Sequence, residues 1–221
     1  MLTVKELKND REILDLIAVT EQNLEALGYT EHSTRHLSIV SNWAGDLMRE
    51  IGGSEYEINM AEIAGFLHDI GNAVNRSMHA QSGGVLAYSL MVQRGMSTID
   101  AAELMLAIGN HDEKHGSPVS RIGAVLILAD KADVHKSRVR KSAIITDNND
   151  IHDRVNRAAE RSFLSVENTE KTITLNITID TEISSVMDYF EIYFSRMSFC
   201  RRAAAFLGYK FSLKINNVVL L

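Results

Sequence analysis

One cysteine, Cys200, stands in this 221-residue chain, so no intrachain disulfide and no thiolate metal cluster can form. A reducing compartment fits that usage. Proline is equally scarce, with Pro118 alone, and aromatic residues make up only 6%. No apolar run approaches the ~18 residues that a membrane-spanning helix needs. The longest, Ala124 to Ala129, reads as a stretch of buried helix. The opening MLTVKELKNDREILDL is charged from its fifth residue and lacks the apolar centre of a secretory signal. The expectation is a cytoplasmic protein with no membrane contact. Basic residues are outnumbered, 23 Lys and Arg against 29 Asp and Glu, and the formal net charge is -6. Non-specific binding to a polyanion runs on clustered Lys and Arg, so nucleic acid is not an expected partner.

The 45% hydrophobic and 24% charged content is ordinary for a globular protein of this length. Thr3 with Glu6 reads as a capping box, and an apolar stripe from Val4 to Leu27 predicts one helix closed by Gly28. Further helices are expected at about Ser33 to Ile51, Ile58 to Ile70 and Ser77 to Arg94. Ser97 with Asp100 opens the next, ending near Asn110-His111, and Ser117-Pro118 is read as the start of a helix running through Asp130. After about residue 165 the pattern changes. Ile173, Leu175, Ile177 and Ile179 alternate with polar residues as a strand does. A long helix over about Ile183 to Leu207 follows, then a hairpin turning at Asn216-Asn217.

Within this helical text stands the pair His68-Asp69, with His36 before it and His79, His111 and Asp130 after it. A histidine followed by an aspartate offers one nitrogen and one oxygen donor from a single turn, and other helices must complete the set. Mixed imidazole and carboxylate ligation suits a divalent transition metal: Mn, Fe, Co, Ni or Zn, with Mg also compatible.

The stretches HSTRHLSIV, GFLHDIGN and ILADKAD together resemble the HD-domain superfamily of metal-dependent phosphohydrolases. That pattern is a histidine, an HD pair and a later aspartate on an all-helical scaffold, and the likeness covers roughly residues 30 to 140. It implies that His36, His68, Asp69 and Asp130 complete one metal site. Asp69 is the ligand that would bridge to a second ion, and His79 and His111 fall where two-metal members carry extra histidines. Asp69 would hold the catalytic core together, while His111, Lys131 and His115 are the candidates to protonate the leaving oxygen. Lys131 follows Asp130 directly and so points about 100° away round the helix; Lys131 and Arg35 are candidates to face a phosphate. Asp133, on the same helix face as Asp130, is placed to orient a ligand or water. His32 mimics a ligand one turn before His36. His135 and His152 read as surface or structural residues, and Lys136, Arg138, Arg140 and Lys141 as a solvated face.

The expected architecture is mainly α: an HD-domain helical bundle over residues 1–165, with a small strand–helix–hairpin (α+β) appendage over 166–221 packed on it. The resemblance implies hydrolysis, by metal-activated water, of a phosphomonoester, phosphodiester or phosphoanhydride in a small molecule, a nucleotide foremost. One or two divalent ions serve as cofactor. The segment GNHDEKHGSP aligns loosely with the HHE…GYP signature of cyclic di-GMP phosphodiesterases, but Asn110 replaces its first histidine, which argues against that substrate. The acidic Glu-Asp pair of the guanosine tetraphosphate hydrolases is missing, whereas the two-metal dinucleoside polyphosphate hydrolases stay compatible. The alternative reading is a non-catalytic, metal-bearing module that binds a nucleotide and regulates. Self-association is also expected, because the C-terminal unit offers strand edges and an apolar helix.

Overall fold

Short polar caps cut the first part of the chain into helices. The computed structural model describes residues 2–29, 33–139 and 151–220. Among them run α1 (Val4–Leu7), α2 (Arg11–Ala26), α3 (Thr34–Glu50), α4 (Glu55–Leu67), α5 (His79–Gln93), α6 (Thr98–Gly109) and α7 (Arg121–Ala132). There follow α8 (Ile151–Ala158), β1 (Ala159–Glu167), β2 (Thr172–Ile179), α9 (Val186–Phe206), β3 (Lys210–Ile215) and β4 (Val218–Val219). The hydroxyls of Ser54, Ser97, Ser120 and Ser185 each accept a backbone N–H in the first turn of the helix they open. Each such cap is worth about 1 kcal/mol.

Several expected boundaries move. The single first helix is two, because Asp10 caps α2 by accepting from Ile13 N–H and is itself clasped by Arg94. Ser120, not Ser117-Pro118, opens α7, since its hydroxyl receives Gly123 N–H at 3.0 Å. The third helix stops at Leu67 rather than Ile70, and a 3₁₀ turn over Ile70–Ala73 replaces its last turn. The fourth begins at His79, after Met78 in the left-handed region at φ 62°. His32, Arg140, Lys141 and the side chain of His152 lie outside the described residues.

Helix α7 is apolar all round, and Ile122 and Ala124 through Ala129 are each at most 1% exposed. A helix of that kind belongs in the middle of a bundle. It packs on α3, α4, α6 and α9. The polar pair at its end, Asp130-Lys131, is thereby delivered to the interior.

The C-terminal part is a four-stranded sheet in the order β1-β2-β3-β4. Strands β1 and β2 are antiparallel, β2 and β3 parallel, β3 and β4 antiparallel. Ile173, Leu175, Ile177 and Ile179 turn inward with Phe211, Leu213 and Ile215, as the alternation requires. Asn216 and Asn217 take φ 47° and 68°, the two left-handed residues of a tight hairpin turn. The expected strand, helix and hairpin are present. Strand β1, which crosses residue 165, was not expected; its inner face is only half-buried, so its alternation is weak. Among the described residues no helix is long and apolar enough to cross a membrane.

Candidate metal centre

Two glycines let backbones approach where the centre forms. A Cβ on Gly65 would lie 2.7 Å from Ser41 Cα, so only glycine allows α4 this close to α3 and brings His68 opposite His36. A Cβ on Gly71 would collide with the carbonyl of His79 and the amide of Gly83. The 3₁₀ turn therefore lies directly on the start of α5, which sets His79 beside Asp69.

The structure brings all six sequence-predicted ligand candidates together. His36 Nε2 and His68 Nε2 are 3.3 Å apart, and both lie 3.5 Å from Asp130 Oδ1. Asp69 Oδ2 is 3.3 Å from His68 Nε2 and 3.8 Å from His36 Nε2. The other carboxylate oxygen, Oδ1, faces a second pair, 3.5 Å from His79 Nε2 and 4.0 Å from His111 Nε2. Those two nitrogens are themselves 3.3 Å apart.

The opposite ring nitrogens are all committed. His36 Nδ1 donates to Asp133 Oδ2 at 2.7 Å, His68 Nδ1 to the Gly65 carbonyl at 2.9 Å, His79 Nδ1 to the Arg76 carbonyl at 3.1 Å, and His111 Nδ1 to the Ile108 carbonyl at 2.7 Å. A neutral imidazole has one N–H. With that hydrogen spent at Nδ1, a neutral ring presents a lone pair at Nε2, and two facing lone pairs at 3.3 Å repel unless a proton or a metal ion lies between them. The donor set, imidazole nitrogens and carboxylate oxygens around two points bridged by Asp69, fits a pair of divalent transition metals.

The electrostatics agree. Burial opposes charge on His68, but Asp69 and Asp130 outweigh it and lift its pKa to about 10. The pocket thus selects positive charge there, from a proton or from a metal. Burial, then the neighbouring His68, drives His111 down to about 3, and burial likewise lowers His79, so both stay neutral and able to donate. Burial disfavours ionised Asp133, yet the bond from His36 and the charge of Arg138 hold it at about 2.

Beside the second histidine pair opens a small polar cleft, lined by Asp69, Arg76, His79, His111, Asp112, Glu113, Asp130, Lys131, Arg138 and Arg196. Lys131 does not swing away as its helical position predicts. Its flexible stem lets Nζ turn back to its neighbour Asp130 Oδ2 at 2.7 Å, and it also meets Glu113 Oε2 at 2.8 Å. Arg35 pairs with Asp133 at 3.3 Å. Arg138 is no part of a solvated face: it is 7% exposed and donates to the Asp133 carbonyl at 2.9 Å, because the turn after α7 folds back on the centre. His115 is exposed, 3.6 Å from Asp112, and does not line the cleft. His135 only caps the turn at Ser137. Sequence reasoning missed Arg76, Asp112, Glu113 and Arg196. The first three are close in sequence to His79 and His111, a signal that was available; Arg196, on α9, carried none.

No family model matches the chain. Over 118 residues, 52% of the chain, it is 31% identical to ribonuclease Y of Lawsonia intracellularis (strain PHE/MN1-00). The match spans 20% of that protein's length. A crystal structure described as a predicted HD superfamily hydrolase, from an uncultured Thermotogales bacterium, is similar over 66% of this chain and 79% of that one, at 25% identity and a TM-score of 0.46. The resemblance to the HD superfamily stands on the residues that first carried it: His36, His68, Asp69 and Asp130 meet at one centre in a mainly helical body.

Proposed function

We propose that the chain is a divalent-metal-dependent phosphohydrolase with a two-ion centre. His36, His68, Asp69 and Asp130 would hold one ion, and Asp69, His79 and His111 the other. The observation that carries this reading is the pair of Nε2–Nε2 contacts at 3.3 Å, each facing a different oxygen of Asp69. Bound there, a divalent ion supplies a water acidified to near-neutral pKa and draws charge off a phosphoryl oxygen.

The protein's own contribution is positional. Asp133, Gly65, Arg76 and Ile108 fix the four rings in the tautomer that presents Nε2. Asn72 Nδ2 donates to Asp69 Oδ1 at 2.9 Å and steadies the shared carboxylate. His111, turned onto His79, acts as a ligand rather than as the acid for the leaving group. Lys131 spends two of its three N–H donors on Asp130 and Glu113 and directs its charge at a phosphoryl oxygen in the cleft.

Metal analysis together with turnover tests the reading. About two equivalents of Mn, Fe, Co, Ni or Zn per chain are expected, with cleavage of bis(p-nitrophenyl) phosphate that a chelator abolishes. The likeness to a ribonuclease places short RNA among the substrates to assay. Ligand-dependent stabilisation without product from any of them would assign the chain instead to the nucleotide-binding, regulatory class.

A further inference from the structure

The cleft over the centre gathers four basic side chains, Arg76, Lys131, Arg138 and Arg196, from separate segments of the chain. Two of them are directed inward: Lys131 to Asp130 and Glu113, and Arg138 to the Asp133 carbonyl. The other two spend little of their hydrogen-bonding capacity on the protein. Arg76 Nη1 donates to Asn72 Oδ1 at 3.2 Å, and Arg196 Nε to Glu113 Oε1 at 3.3 Å. A guanidinium carries five donors, so most of each fork remains for a ligand.

Both guanidinium groups are held over a tyrosine ring. Arg76 lies 5.5 Å from the centroid of Tyr29, and Arg196 4.7 Å from that of Tyr193. Such a contact restrains the planar group while leaving its edge open to an anion. Arg76 enters beside His79, and Arg196 enters beside Glu113 and Lys131. The charge balance points the same way. The cleft's acidic side chains, Asp69, Asp112, Glu113 and Asp130, equal its basic ones in number, so bound divalent ions leave it positive.

We propose that Arg76 and Arg196 form an anion subsite beside the metal centre. It grips the phosphoryl group that is not attacked, so the substrate class is a phosphoanhydride with at least two linked phosphoryl groups. This rests on reading the histidine–aspartate cluster as a centre that acts on phosphorus. In the reaction, water oxygen bonds to one phosphorus, the bond from that phosphorus to the bridging oxygen breaks, and the departing phosphate carries the electron pair and takes the water's proton. The C-terminal unit thereby takes part in substrate recognition, since Arg196 belongs to α9.

The test is calorimetric titration of the Mn-saturated full chain with ADP and with AMP, repeated on Arg196→Gln, Arg76→Gln and Arg196→Lys. Expected is ADP binding at least about tenfold tighter than AMP, the worth of one charge-assisted hydrogen bond. Each Gln variant should remove most of that preference, and Arg196→Lys should restore part of it, which separates lost charge from lost folding. Equal affinities in the parent, or an undiminished preference in both Gln variants, would overturn the subsite. So would short RNA binding more tightly than ADP, which would assign the arginines to a polynucleotide backbone. Cleavage of bis(p-nitrophenyl) phosphate by the parent distinguishes the two readings. Cleavage without ADP preference sinks the subsite and leaves the hydrolase, whereas ADP preference with neither that ester nor ADP cleaved leaves only an anion-binding pair of arginines and sinks the hydrolase together with the assigned substrate class.

Discussion

Asp133 Oδ2 accepts the Nδ1 hydrogen of His36 at 2.7 Å and so decides which nitrogen of that ring faces the centre. Removing such an outer partner typically weakens metal binding by about 10–100-fold. Asp133→Ala should show a loss of that size in competition against a chelating dye, with helical circular dichroism retained. Unchanged affinity would mean that the ring is oriented by packing alone.

Asp69 turns one oxygen to each histidine pair, at 3.3 Å from His68 and 3.5 Å from His79. Asp69→Ala should lose both ions and all turnover while keeping its helices. Retention of a full equivalent of metal would show that the two points are independent and that the carboxylate does not bridge.

Gly71 has no room for a methyl group between itself and the start of α5. Forcing one in costs about 1–3 kcal/mol and shifts the neighbouring backbone. Gly71→Ala should therefore melt at lower temperature and bind less metal at the His79–His111 point. A variant with parental melting temperature and metal content would show that α5 can slide freely.

Far from the centre, Arg94 grips both oxygens of Asp10, at 2.7 and 2.8 Å, and its hydrogen bonds hold the Asp10 pKa at about 2. An unfolded aspartate titrates at about 3.9. The folded value is the lower one, so this stabilisation is complete above pH ~4 and is lost as pH falls to about 2. Partial exposure reduces its size to roughly 1–2 kcal/mol. Asn also caps helices, so Asp10→Asn removes mainly the charge. Urea melts should show the variant weaker than the parent at pH 6 and equal to it near pH 2. A constant difference across that range would assign the effect to the cap.

Residue type and local spacing made much of this protein legible. A serine two or three residues ahead of an amide it can cap marks a helix start by itself, as Ser33 and Ser97 do. The alternation from Ile173 to Ile179 is a strand in any context that covers one face. His36, His68, Asp69, His79, His111 and Asp130 stood out because buried helical text otherwise carries few such side chains. Their use as ligands is still a proposal, but their convergence is a fact of the fold.

Tertiary structure decided the rest, because those features depend on partners far away along the chain. Which imidazole nitrogen faces inward is set by carbonyls and by Asp133, and which oxygen of Asp69 meets which pair is set by Gly65 and Gly71. The basic run after α7 looked solvated until the turn carried Arg138 back onto Asp133. Arg196 lies 83 residues from Glu113 in sequence, and no local pattern can signal a contact that the packing of α9 on α7 creates. The sequence by itself determined the chemical groups and the helices that bear them. Long-range packing alone determined how those groups face one another, because directed lone pairs and shared carboxylates depend on ångström-scale placement.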